Sequence, residues 1–325
     1  MRRGRGLLAG TCALAMAVLG AMPASAKSSS EKPTATEIGV TAKEIHIAVV
    51  ADVDNPFAPG LFKGARDGVI GAAKYINSNA GGGGLAGRKL VVDFIDSHLN
   101  ANDTRNGVIT ACQQDFAMVG NFFVFLNTVE DEVNCKDHAG VATGLPDLAS
   151  ATAGLAQSCS PVAFPVGPAQ LVCSTKDDPV QTYNGSQYTA KYFLKQHKGD
   201  LHGAFIYGND TRDAARASNA IINTNIHAGI KSDQTTGVSG RAPQSAYTPI
   251  INKMKADGSN YGFDVSASNS AILLRREAQL QGLPDTVIWD CTIACYDQSV
   301  KDQADVMDRQ YVTMTFLPFE EASTN

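Results

Sequence analysis

Two series of strand-like and helix-like segments, alternating at regular spacing, constrain this chain more than any single motif does. The first begins at Glu44, where "EIHIAVV" reads as a buried strand. "LFKGARDGVIGAAKYIN" follows, with Phe62, Ala65, Val69, Ala73 and Ile76 at the i, i+3/i+4 spacing of an amphipathic helix. "RKLVVDFID" then predicts a strand, "NDTRNGVITACQQ" a helix, and "FAMVGNFFVF" a strand running into a loop. "TVEDEVNCKDHA" predicts a helix with Thr128 as N-cap and acids in its first turn, and "GVATGLP" a short strand. An Ala/Ser/Pro-rich stretch over 149–168 reads as a crossover. The second series runs helix "SQYTAKYFLKQH", strand "GAFIYG", helices "RDAARASNAIINTNIHA" and "AYTPIINKMKADG", strand "GFDVSAS", helix "NSAILLRREAQLQG" and strand "DTVIWD". Helix-like residues over 297–307 lead to a last strand, "QYVTMTF". Such alternation predicts an α/β protein of two lobes, each a parallel-rich sheet with helices on both faces.

Four consecutive glycines interrupt the first series in "NAGGGGLAGRKLVVDF", where Gly82, Gly84 and Gly87 spell G-x-G-x-x-G. A dinucleotide fingerprint follows a strand and opens a helix. Here the order is reversed, and no Lys-Ser or Lys-Thr follows the last glycine as a phosphate loop requires. The glycines therefore read as the turn that ends a helix. No cofactor is expected. "GVSGR" at 237–241 has the wrong spacing for a nucleophile elbow. No Ser/His/Asp set is arguable from the sequence, and His46 falls inside a buried-looking strand, so the chain reads as a non-enzyme.

The chain starts with a short basic stretch, an apolar run over 7–22 and Ala24-Ser25-Ala26, the pattern of a secretory signal peptide spanning 1–26. Cleavage after Ala26 would leave 299 of 325 residues, and losing Arg2, Arg3 and Arg5 would move the formal charge from −5 to −8. With no basic block, nucleic acid and anionic membrane are poor partners. Residues 27–42 read as a flexible leader. Six cysteines would remain, Cys112, Cys135, Cys159, Cys173, Cys291 and Cys295, and an even count in an oxidising compartment implies disulfides. Fifteen pairings are open; sequential pairing is the expectation. No metal site is expected, because the six histidines are scattered, none at i, i+4 to another.

"EIGVTAKEIHIAVVADV" resembles the mature start of type I periplasmic solute-binding proteins, the group that includes branched-chain amino-acid binders. "GARDGVIGAAKYINSNAGGGGLAGRKLVVDFIDSHLNANDT" is similar to that family's first helix, Gly-rich turn, second strand and Asp-containing loop. "SAYTPIINKMKADGSNYGFDV" is similar to its second-lobe helix and strand, and Cys112 with Cys135 resembles a disulfide of some members. The resemblance implies a first lobe over 43–166, a second over 167–315, and in 316–325 the start of a return crossover whose continuation is missing. It also implies a soluble, monomeric, extracytoplasmic protein, periplasmic or at the cell surface. Such a protein closes two lobes around a small molecule and delivers it to an ABC permease in the membrane; a ligand sensor reporting to a membrane receptor is the alternative.

In such folds ligands bind outside the carboxyl ends of the strands. The resemblance therefore points to Asp52 and Asn55, to Asn121, Phe122 and Phe123, and to Pro146 and Asp147 in the first lobe. In the second it points to Asn209 and Asp210, Tyr247, Ser266 and Ser268, and Asp290. Helix capping explains Asp210 and Ser268 without a ligand, and core packing is the alternative role for Phe122, Phe123 and Phe125. The resemblance implies an amino acid or other small apolar or aromatic acid or amide as ligand; "GNFFVF" and "GLPDLASAT" depart from the Ser/Thr-rich loops of amino-acid-binding relatives and so do not point to leucine or valine in particular.

Overall fold

The computed structural model describes residues 33–55, 59–152, 154–167, 173, 185–314, 318, 320 and 321. Strand β1 (Glu44–Ala51) ends in five consecutive buried residues, as a strand covered on both faces must. It lies inside a parallel sheet with β2 (Lys89–Asp96), β3 (Ala117–Val119) and β4 (Asp147–Leu148), in the order β2-β1-β3-β4. Helix α1 (Lys63–Asn77) connects β1 to β2, and its predicted stripe faces inward, with Ala73 buried and Phe62, Ala65, Val69 and Ile76 partly so. Gly82, Gly83 and Gly84 all have positive φ, which confirms the glycine run as the turn out of α1. Helix α2 (Ala101–Gln114) starts under Asn100, whose side chain accepts from the N–H groups of Asn102 and Asp103.

Three expectations for this half are corrected. The helix beginning near Thr128 is only α3 (Glu130–Val133), capped at Val129, although the Thr128 hydroxyl still accepts from Glu130 N. Residues 140–145 are not a strand: Thr143 and Gly144 N–H both bond the Cys135 carbonyl and Leu145 N–H bonds the Glu132 carbonyl, so this segment wraps α3 and the chain joins the sheet only from Pro146. Within the leader, 37–42 is folded. Glu37 and Val40 close a turn, Val40 is buried, and the Glu37 carboxylate accepts from His138 N at 2.9 Å. Residues 1–26, and with them the signal-peptide expectation, lie outside the described residues, as does most of 316–325. A short helix, α4 (Leu155–Ser158), stands in the crossover.

The second sheet comprises β5 (His202–Gly208), β6 (Lys231–Val238), β7 (Tyr261–Val265), β8 (Ile288–Cys291) and β9 (Gln310–Val312). It is parallel in the order β6-β5-β7-β8-β9. Its two faces follow the period of two expected of strands. Ala204, Ile206 and Trp289 pack with α7 (Thr248–Asp257) and α8 (Ser268–Leu280) through Ile250, Ile251, Met254 and Leu274. Phe205, Tyr261 and Phe263 pack on the other side with α5 (Gly185–Gln196) and α6 (Arg212–Ala228) through Phe193 and Ile222. Each such fully buried aromatic contributes about 2–3 kcal/mol of transfer free energy. The two turns α9 (Gln298–Lys301) and α10 (Ala304–Met307) precede β9. The six cysteines pair sequentially as Cys112–Cys135, Cys159–Cys173 and Cys291–Cys295, with Cα separations of 5.7, 4.9 and 6.0 Å. No helix among the described residues is long and apolar enough to cross a membrane.

Candidate functional site

At the carboxyl ends of the first sheet, acids brace one loop against the next. Asp52, immediately after β1, is fully buried. One carboxylate oxygen accepts from Ser97 Oγ (2.6 Å) and Leu99 N (2.9 Å), and the other from Val124 N (2.8 Å). Asp96, ending β2, returns the contact by accepting from Val53 N, Asp54 N and His98 N at 2.8–3.1 Å. Burial raises the Asp52 pKa in spite of its donors. Burial also pushes Asp96 upward, but its three backbone donors, His98 foremost, outweigh it and hold that carboxyl below the usual range. Three loops are thus fixed to one another without a ligand. Asn55 is buried. Phe123 belongs to the core with Met118 and Leu145, whereas Phe122 is half-buried and stacks on Phe62, ring centroids 3.9 Å apart.

Behind β3 and β4 lies a buried polar group. Asp147 accepts from Asn121 Nδ2 and from Gln157 Nε2, the latter at 2.7 Å. Burial and the adjoining Asp147 carboxylate push Glu132 up to about 9, so Glu132 holds a proton there, and Ser160 Oγ donates to its Oε2 at 3.3 Å. Pro146 is half-buried, and its carbonyl accepts from Met118 N.

In the second sheet Asp210 does not cap α6. Thr211 does, accepting from Ala214 N at 3.0 Å, while Asp210 accepts from Ser239 Oγ (2.6 Å) and Gly240 N (2.8 Å) and so ties the β5 loop to the β6 loop. Ser268 does not cap α8 either: the N-cap is Ala267, and Ser268 is half-buried, touching Ser299 Oγ at 3.4 Å. Tyr247 is 1 % exposed and donates inward to Ser270 Oγ (2.9 Å), which donates to Asp264 (2.9 Å); Ser266 Oγ donates to the same acid. Asp290 is buried between Tyr261 OH (2.9 Å) and Cys291 N (2.8 Å), and burial pushes it up to about 7. Asn209 and Asp210 are exposed and Ser266 half-buried.

The structure therefore separates the sequence-named residues into two groups. Asp52, Asn121, Asp147, Tyr247 and Asp290 are turned into the sheets, because a carboxylate or phenol at a strand end gains more from nearby donors than from solvent. Phe122, Asn209, Asp210, Ser266 and Ser268 are left on the loop surface. A hydrogen bond joins the two sets of loops: Asp213 Oδ2, in the first turn of α6, accepts from Leu155 N at the start of α4 at 3.2 Å, against Gly154. Asp213 is not among the residues that sequence reasoning names. Its position two residues beyond the capping Thr211, where an acid suits a helix N-terminus, is the available signal. An open depression of about 700 Å³ beside the Cys112–Cys135 bond, lined by α2 and α3, lies along the helices and away from these loops.

Similar solved structures share this architecture at low identity. They include a fatty acid ABC transporter substrate-binding protein from Thermomonospora curvata (12% identity, TM-score 0.59, 85% of this chain and 64% of that one). A leucine binding protein from Thermotoga maritima matches at 12% identity and TM-score 0.58 over 84% of this chain and 71% of that one. A solute binding protein of an ABC transporter from Rhodopseudomonas palustris, in complex with 3,4-dihydroxy benzoic acid, matches at 11% and 0.54 over 78% and 63%. This chain thus spans just under two thirds of the first and third of these. No curated protein matches by sequence. The periplasmic binding protein family model matches residues 44–325. Two parallel sheets with their carboxyl-end loops in contact, and that match across nearly the whole described chain, agree: the protein belongs to the periplasmic binding protein family.

Proposed function

We propose that this protein binds a small carboxylate-bearing ligand with an apolar or aromatic body, held between the loops at the carboxyl ends of its two sheets. It then presents that ligand, outside the cytoplasm, to an ABC permease. The observation that carries this reading is the Asp213–Leu155 contact, which brings the loops of one sheet onto those of the other. The direct contacts are Phe122 in the first lobe and Asn209, Ser266 and Ser268 in the second, with Asp210 bracing the β5 and β6 loops through Ser239 and Gly240. The buried acids hold those loops in place. An anion is favoured on the second-lobe side by the α6 N-terminus and by exposed Arg212 and Arg241. The stacked Phe122–Phe62 pair offers the apolar wall. Of the three similar structures, one is named for fatty acid and one for leucine, and one holds dihydroxybenzoic acid; all are carboxylates, which supports the class.

The test is a thermal melt against leucine, a long-chain fatty acid, 3,4-dihydroxybenzoate and their amides. A ligand at a hundred times its Kd stabilises by about 2.7 kcal/mol, a midpoint rise of about 5–10 °C. Asp213→Ala removes the interlobe acceptor and should weaken that ligand by about fivefold or more. Shifts by amides but not acids, or by none of the panel, would count against the proposal.

A further inference from the structure

At the end of the first sheet opposite these loops, three side chains converge that none of the foregoing uses. His46, third residue of β1, and Asp93, in the middle of β2, lie on the same face of the sheet, the face that α2 covers. His46 Nδ1 and Asp93 Oδ2 are 2.7 Å apart. Asp115, the C-cap of α2, is brought in by its own N–H bond to Ala111 O at 2.8 Å and by Phe116 N bonding the His46 carbonyl at 3.0 Å. One ligand atom from each of the three lies within 4.8 Å of the others. Over them folds the 37–40 turn, where His46 N bonds the Gly39 carbonyl at 2.8 Å and Gly39 packs on the Asp115–Phe116 backbone.

Asp115 is the independent observation. It is only 2 % exposed, and neither carboxylate oxygen has a hydrogen-bond partner among the described residues. A buried carboxylate without donors is costly. Its position compounds the problem, because the carboxyl end of α2 already carries partial negative charge and the last turn of α2 holds no basic residue. Two carboxylates face a single imidazole at this point, and the contact of that imidazole is with Asp93, not Asp115.

We propose that His46, Asp93 and Asp115 form a structural site for a divalent cation of the borderline, zinc-like class. One nitrogen and two carboxylate donors match the ligand preference of such ions, and the two carboxylates neutralise the charge of a dication. His46 ligates through Nδ1. The Glu44 carboxylate stands 3.7 Å from Nε2, on the side where a metal-bound imidazole keeps its proton. The ion ties β1, β2 and the end of α2 together and is independent of the ligand cleft.

The test is titration of chelator-stripped protein with Zn²⁺ and Mn²⁺ by calorimetry, with thermal melts in parallel and Co²⁺ absorption as a reporter of the ligand field. Saturable one-to-one binding is expected, with a midpoint rise of about 5 °C near a hundredfold excess over Kd. Binding and shift should disappear in Asp115→Asn and in His46→Gln. Both should persist in His98→Gln, which removes the exposed His98–Asp103 pair instead. If either site variant fails to fold, the wild-type Co²⁺ spectrum decides, since bands of a nitrogen–oxygen site support the assignment and an aquo-ion spectrum refutes it. Absence of saturable binding, or binding unchanged in Asp115→Asn, overturns the proposal and leaves a proton shared by the two carboxyls as occupant.

Discussion

The two sheets are built to the same plan, and the first crossover helix of each is packed very differently. Helix α6, which follows β5, buries Ala217, Ser218, Ala220, Ile222, Thr224 and Asn225. Helix α1, which follows β1 as α6 follows β5, buries only Ala73, while the edge strands β2 and β6 are alike in being little covered. Helix α1 carries Gly64, Gly68 and Gly71, all exposed, and a Cβ at any of them would meet nothing within 4 Å, so these glycines lie on its open side. At the corresponding place in the second sheet, Gly262 lies directly under the Trp289 ring, and its missing side chain is filled by a neighbour. A glycine can thus mark either close packing or its absence, and the surroundings decide which.

The contrast can be tested at decreasing scale. Phe263→Ala should destabilise by about 3–5 kcal/mol and lower the melting midpoint by about 10 °C, whereas Phe94→Ala on β2, with its ring half-covered by Arg66, should cost about 1–2 kcal/mol. Equal losses in thermal melts would refute the packing difference. Next in size is a pH effect in the first sheet. Glu132 is pushed up to about 9 from an ordinary 4.5, so its protonated form favours the folded state. That stability is fully present below about pH 4.5 and is lost as pH rises toward 9. Glu132→Gln should keep the hydrogen bonding and flatten the profile, gaining several degrees at pH 8; parallel profiles for wild type and variant in urea titrations at pH 5, 7 and 9 would dismiss the protonated state of Glu132. Smallest are Gly68→Ala and Gly71→Ala, which should each stabilise by about 1 kcal/mol because both are exposed helical positions with open space at Cβ. Gly107→Ala in α2 should not, since its Cβ would press on Val50 and Ile95 at 3.1 Å. A gain at Gly107 would show that α2 is as loosely packed as α1.

Much of the architecture is legible in the amino-acid sequence. The apolar run of β1, the stripe of α1 and helix α6 follow directly from local periodicity. Strand β6 does not, because "KSDQTTGV" is an edge strand with a mostly exposed polar sequence; it is a strand only because β5 supplies backbone partners from His202 to Gly208. Capping by Asp210 and Ser268 fails for a similar reason. Neighbouring residues compete for the same N–H groups, and Thr211 and the Asp210–Ser239 bond settle the first case.

What local chemistry specified, then, is the set of elements, since amphipathic period and turn residues act within a few positions of each other. The roles of the polar residues lay beyond it. Asp52 and Asp147 resemble ligand contacts because they end or flank strands. They are braces because Ser97, Leu99, Val124 and Gln157, 10 to 72 residues away, bring donors to them. His46 is a plain strand residue in the sequence, and Asp93 and Asp115 reach it from 47 and 69 positions further on. A hydrogen bond or coordination site acts over about 3 Å of space whatever the separation along the chain. Only the packing of the sheets could bring those groups together.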